Sequence, residues 1–78
     1  MEEVEFLKFI VENLVENPQD IYIERIEDEL WVLLTLKVNK TDMGLIIWKN
    51  GSIVLSIRNL LKIMWNKLGR RINLKVLD

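Results

Sequence analysis

Asp42-Met43-Gly44-Leu45-Ile46-Ile47-Trp48-Lys49-Asn50-Gly51-Ser52-Ile53-Val54-Leu55-Ser56-Ile57-Arg58-Asn59-Leu60-Leu61 is the stretch on which the reading of this chain turns. It divides into a short apolar helix through Ile47, a tight Trp48-Lys49-Asn50-Gly51 turn, and a longer amphipathic helix. Thr41 or Asp42 is placed to cap the first helix and Ser52 the second, since short oxygen-bearing side chains accept from the free N–H groups of a helix start. In the second helix Ile53, Ile57, Leu60, Leu61, Met64 and Leu68 fall on one face, and Gly69 supplies a C-terminal stop. At about 100° per residue, Leu55 points almost opposite Ile57 and Ile63 sits at the edge of the stripe.

Outward from this stretch the periodicities change. Over residues 2–17 Phe6, Leu7, Ile10, Val11 and Leu14 recur at helical spacing, with Glu3, Lys8, Glu12 and Glu16 outside the stripe, and Asn17-Pro18 ends the helix. Ile21, Ile23 and Arg25 then alternate with Tyr22 and Glu24. A Glu27-Asp28-Glu29 turn follows, and Leu30, Val32, Leu34, Leu36 and Val38 alternate in their turn, the pattern of an antiparallel hairpin. Ile72, Leu74 and Val76 make a last strand. The predicted fold is α+β in the order αββααβ, a three-stranded sheet packed against three helices in one domain spanning residues 1–78.

Composition removes several chemistries. There is no Cys and no His, so disulfides, thiol catalysis, imidazole acid/base work and the common zinc sites are unavailable. Half of the residues are apolar and only one is Pro, which favours a compact core over disorder. No apolar run approaches a membrane span and the chain opens Met1-Glu2-Glu3 without a basic flank, so a soluble cytoplasmic protein is expected, with no membrane association. Neither paired carboxylates, nor a nucleophile with a base, nor a Walker-type loop is present, and the expectation is a protein without catalysis, cofactor or metal. Glu27, Asp28 and Glu29 read as a solvated turn. Alanine is absent while Ile, Leu, Lys and Asn abound, a bias that fits an AT-rich coding sequence or an artificial redesign equally.

The net charge of −1 conceals a division. Residues 1–39 carry ten acidic against three basic side chains, whereas residues 40–71 carry seven basic side chains against Asp42 alone. A basic half that also holds a glycine turn between two helices draws anions, through Coulomb attraction and through backbone N–H groups left free at a helix start. The competing reading is that helices simply carry Lys and Arg on their solvated faces.

The element order and the central motif together resemble a type II KH domain, and more narrowly the small single-KH bacterial RNA-binding proteins of the KhpA (YlqC) family. The likeness rests on Glu16-Asn17-Pro18, on Thr41-Asp42-Met43-Gly44, on the turn ending at Gly51, on Ile57-Arg58-Asn59-Leu60-Leu61, and on Gly69-Arg70-Arg71 before the final strand. The resemblance implies a Gly-x-x-Gly loop that clamps the backbone of about four single-stranded nucleotides beside an apolar groove. Carried onto this chain, the clamp is Lys49, Asn50 and Gly51 with the Ser52 helix start, the base contacts lie along Ile46, Ile47 and Val54, and Arg58 either reaches RNA or braces the loop. The implied partners are single-stranded RNA, a second copy of the chain or a larger KH-containing protein.

The loop is degenerate by that standard, because Trp48 stands where the first glycine is expected. If the backbone there is left-handed, a bulky residue costs about 1–2 kcal/mol. Trp48 is then either a base-stacking surface or an obstruction. Leu45, Trp48, Leu55 and Ile63 together suggest an alternative: a KH scaffold whose RNA site is lost or altered, serving as a protein-interaction or dimerisation module, engineered variants included. Trp65 reads as completing the core, and Trp31 reads first as a sheet-packing residue and second as a stacking surface. Lys62, Lys67, Arg70 and Arg71 read as diffuse positive charge.

Overall fold

Alternation along the second strand fixes the layering. Val32, Leu34 and Leu36, with Val38 just beyond, turn one apolar face toward the helices, and all four are buried. This computed structural model describes residues 1–77; Asp78, which the predicted domain includes, lies outside them. Strand β1 (Tyr22–Glu27) pairs antiparallel with β2 (Trp31–Lys37), Tyr22 opposite Lys37 and Glu27 opposite Val32. The connecting turn is held by Asp28, whose carboxylate accepts from the N–H groups of Leu30 and Trp31 at 2.9 and 2.8 Å. Strand β3 (Arg71–Val76) pairs parallel with the other edge of β2, Trp31 opposite Arg71, giving a mixed sheet in the order β1-β2-β3.

A parallel pair needs a crossover, and the chain between β2 and β3 supplies it as helices α2 (Lys40–Ile46), α3 (Trp48–Ile63) and the single turn α4 (Trp65–Leu68). Helix α1 (Glu2–Glu12) and a one-turn 3-10 helix at Pro18–Asp20 precede the hairpin. The core is one cluster to which α1 contributes Leu7 and Val11, α3 contributes Val54, Ile57 and Leu61, and β3 contributes Ile72 and Leu74. Among the described residues no helix is long and apolar enough to cross a membrane.

Three local expectations are corrected. Helix α1 stops at Glu12, not at Asn17: the side-chain amide of Asn13 donates to the Phe9 carbonyl at 2.7 Å, and the chain turns so that Val15 is buried while Leu14 stays exposed. Glu3 does not lie outside the stripe. Spaced four residues before Leu7 and eight before Val11, it shares their face and is 2% exposed, where it is paired with Arg25 from the inner side of β1. The cap of α2 is Asn39, whose side-chain oxygen accepts from the Thr41 N–H at 2.9 Å, and neither Thr41 nor Asp42 fills that role. Asp42 points inward and accepts from the N–H groups of Glu16 and Asn17 at 3.0 and 3.1 Å.

The stripe of α3 is also narrower than its sequence pattern. Val54, Ile57 and Leu61 form its buried line, with Ile53 half-buried and Leu60 exposed at the flanks. The helix ends at Ile63 and Met64 joins it to α4, whose half-buried Trp65 and Leu68 pack against the core. Gly69, left-handed at φ 71°, then stops it where expected.

Two outcomes follow from this packing. Leu34→Ala, at a central position with no exposed surface, lowers the unfolding free energy by about 2–5 kcal/mol in urea titrations, whereas Leu55→Ala stays within about 0.5 kcal/mol. The Asp42 carboxyl is held below its ordinary value of 3.8, chiefly by the Glu16 backbone N–H and then by Asn17, against the opposing effect of burial. Its stabilising contribution is therefore complete above that value and is lost as pH falls through the lower folded-state value. Asp42→Asn removes that acid limb from a plot of urea midpoint against pH.

Candidate functional site

Helix α2 closes at Ile46, and Ile47 (φ −93°, ψ 5°) is the joint to the next segment. Three consecutive residues then take left-handed backbone: Lys49 (φ 51°, ψ 54°), Asn50 (φ 58°, ψ 34°) and Gly51 (φ 80°, ψ 24°). The Gly51 N–H closes the turn on the Ile47 carbonyl at 3.0 Å. Gly51 adopts this geometry without penalty and Asn50 tolerates it, so the strain falls on Lys49, at about 1–2 kcal/mol. The expected strain at Trp48 is absent, since Trp48 has no positive φ.

Ser52 is not the cap of the long helix. The chain enters that helix from a left-handed turn rather than from an extended residue, and the Ser52 hydroxyl donates backward to the Trp48 carbonyl at 3.2 Å. Ser56 repeats the pattern one turn later, donating to the Ser52 carbonyl at 2.9 Å.

Beside the turn runs a groove of about 480 Å³ whose loop and helix wall carries Ile47, Asn50, Gly51 and Leu55 and whose opposite wall is Leu74, Lys75 and Val76 of β3. Ile47 is 54% exposed and available to it, but Ile46 has no exposed surface. Ile46 follows Asp42 by four residues, so both face the core, and the assignment of Ile46 as a base contact is corrected. Val54, only 6% exposed, belongs to the core and shows the groove little more than an edge. The β3 wall was invisible to motif reading; its one sequence signal is Lys75, the cation between the inward positions Leu74 and Val76.

Arg58 spans the groove. Its Nε and Nη2 donate to the Leu74 carbonyl at 3.3 and 3.0 Å, so it ties α3 to β3 rather than bracing the loop. The Lys49 ammonium sits 4.5 Å from the centroid of the Trp48 ring, a cation–π contact worth about 0.5–1 kcal/mol at an exposed site. Among the described residues Lys49 has no carboxylate within ion-pair reach, and no acidic side chain lines the groove. The loop therefore offers a cation, an exposed indole and a sharply turned backbone to an anion with planar groups attached.

Of the apolar set, Leu45, Trp48, Leu55 and Ile63 are all exposed. They do not make one patch. Leu45 and Trp48 lie three residues apart beside the turn and Leu55 lines the groove, but Ile63 is about 12 Å farther along the α3 axis.

Residues 4–76 match the family described as KhpA/KhpB, KH domain. The chain is similar to the RNA-binding protein KhpA of Borreliella burgdorferi, 38% identical over 97% of this chain and 93% of that one. It is 34% identical to the RNA-binding protein KhpA of Aquifex aeolicus over 92% of this chain and 96% of that one. With the protein of the same name from Listeria monocytogenes serovar 1/2a it shares 34% identity, over 95% and 97% of the two chains. No solved structure gives a significant match.

The turn geometry is open to a direct stability test. A Cβ at Gly51 meets nothing within 4 Å, so Gly51→Ala loses only the left-handed freedom and costs about 1–2 kcal/mol. Gly44, inside α2 and with equally open space, gives the opposite sign: Gly44→Ala gains about 0.5–1 kcal/mol in the same urea titration.

Proposed function

Because the chain belongs to the KhpA/KhpB KH-domain family, we propose that it is a non-catalytic protein that holds single-stranded RNA, with the RNA backbone gripped at Lys49, Asn50 and Gly51. The observation that carries this reading is the run of three left-handed residues between two helices beside a groove that, among the described residues, has no acidic side chain in its lining. Such a run exposes backbone to a phosphate, the helix start that follows at Ser52 favours negative charge, and Lys49 adds a mobile cation. The relatives named above are called RNA-binding proteins, and that description comes to this chain through the shared family.

In this reading the bases lie along Ile47, Leu55 and the edge of Val54, facing Leu74 and Lys75. Ile46 supports them from beneath. Arg58 acts as a positioning residue that sets the width of the groove through the Leu74 carbonyl. Trp48 is a stacking platform at the groove mouth, contributing about 1–3 kcal/mol per stacked base. Attraction is salt-sensitive and reads little sequence, since phosphate contacts position without specifying.

A second reading, self-association, is favoured by one further observation. Between α1 and α3 lies an apolar cleft lined by Ile10, Leu14, Ile53 and Leu60, two of which, Leu14 and Leu60, are exposed. Sedimentation equilibrium decides it: a dimer that Leu60→Glu dissociates supports the reading, and a monomer at all concentrations removes it.

For RNA the test is fluorescence anisotropy with a mixed-sequence single strand. Saturable binding is expected to weaken as salt rises, and Lys49→Glu to weaken it further while reducing the slope of log K against log salt by about 0.7 for the lost contact. Trp48→Gly is expected to weaken binding; a tighter complex would mean that the indole obstructs the loop. Absence of binding at low salt would sink the RNA reading.

A further inference from the structure

From the juxtaposition of Trp31, Arg71 and Trp65 at the end of the molecule remote from the loop, we infer a second nucleotide-binding site, one that takes a base and phosphate of an RNA strand running on from the clamp. The inference rests on the RNA reading above and assigns a site that reading does not use.

Arg71 stands opposite Trp31 in the β2–β3 pairing, and its guanidinium carbon lies 5.3 Å from the Trp31 ring centroid and 5.7 Å from that of Trp65. Lys62 adds its ammonium 5.6 Å from the Trp65 ring. The neighbouring cations are already committed, Arg70 to Glu27 and Lys67 to Glu2, whereas Arg71 has no carboxylate partner among the described residues. Trp31 is 39% exposed. Nε1 of Trp65 is buried without an acceptor among the described residues, a donor that the chain itself leaves unmatched. The cluster lines an open depression of about 570 Å³ together with Leu30, Asn66, Gly69 and Arg70.

A strand can reach it from the loop. The loop groove shares Arg58 and Leu74 with a second depression between α3 and β3, and that depression shares Trp65 with the one at Trp31. Among the described residues no acidic side chain lines any of the three. From residue 51 to residue 65 the path along α3 is about 20 Å. Indole faces suit a base and an unpaired guanidinium suits a phosphate, so both halves of a nucleotide are met. An acidic peptide would use the cations and leave the indoles idle.

The test compares labelled mixed-sequence RNAs of four and ten nucleotides binding to the full chain. The ten-nucleotide strand is expected to bind more tightly than its extra registers alone provide. Trp31→Ala is expected to weaken it by about 5- to 150-fold, the equivalent of one lost stacked base, with the four-nucleotide strand unaffected. Trp31→Phe, which keeps a ring, retains most of the affinity. Arg71→Gln, a change at an exposed side chain that guards against misfolding of the tryptophan variant, weakens the long strand and lowers its salt slope by about 0.7. If both variants bind the long strand as the parent does while Lys49→Glu still weakens the short one, the second site is wrong and the clamp stands. If the parent binds neither length, both fall. If polyglutamate occupies this end and RNA fails to displace it, the site belongs to an acidic partner and the inference is overturned.

Discussion

The Asp42 carboxylate is the constraint on which the placement of the loop depends. Helix α2 has seven residues, and only Asp42 and Ile46 among them are buried. A helix so short has little stability of its own. One buried side chain anchors it to the core, and the other takes the backbone N–H groups of Glu16 and Asn17, some 25 positions earlier in the chain. Asn17 reinforces the tie from its own side chain, donating to Asp42 at 3.2 Å and to the Thr41 hydroxyl at 3.0 Å. With both ends of that link fixed, Ile47 emerges at a defined angle and the left-handed turn faces the groove. Without it, the turn would keep its local shape and lose its direction.

The layering was legible in the sequence because alternation is a strong signal when one face is buried. Val32, Leu34, Leu36 and Val38 announced β2, and Ile72 and Leu74 announced β3. The membership of the KH family was legible from the motif run that includes Gly51. What escaped was decided by tertiary partners. Glu3 sits on the buried line of α1 only because Arg25, an inward residue on β1, meets it there; a carboxylate on an apolar stripe looks like an error until its cation is found. Asp42 read as a cap because its type and position suit one, yet Asn39 outcompetes it three residues earlier and frees it for the α1 exit.

At the candidate site the misplacement had a single cause. Ile46 and Ile47 are adjacent and alike, and only the helical phase set by Asp42 separates the buried one from the exposed one. The strain that a left-handed Trp48 would carry falls one residue later, on Lys49, because the left-handed run begins only after Trp48. Charge was read correctly as a division along the chain, and the fold turns that division into geometry: the acids of α1 and β1 are partly consumed by Arg25, Arg70 and Lys67, while among the described residues the cations of the α3–β3 trough have no carboxylate partner.

The parallel pairing of β2 with β3 carries a consequence for the order in which the protein is built. One wall of the trough comes from α3 and the other from β3, a strand made after every element it touches. A ribosome-bound chain that has already released the hairpin, the turn and the long helix therefore displays the loop without its facing wall. Closing the trough requires the long sequence separation between β2 and β3 to be bridged, which is the slow kind of contact to form. The trough is thus the last part of the fold to be completed, and, on the reading that it holds RNA, a nascent chain is kept from engaging that ligand fully until β3 has docked.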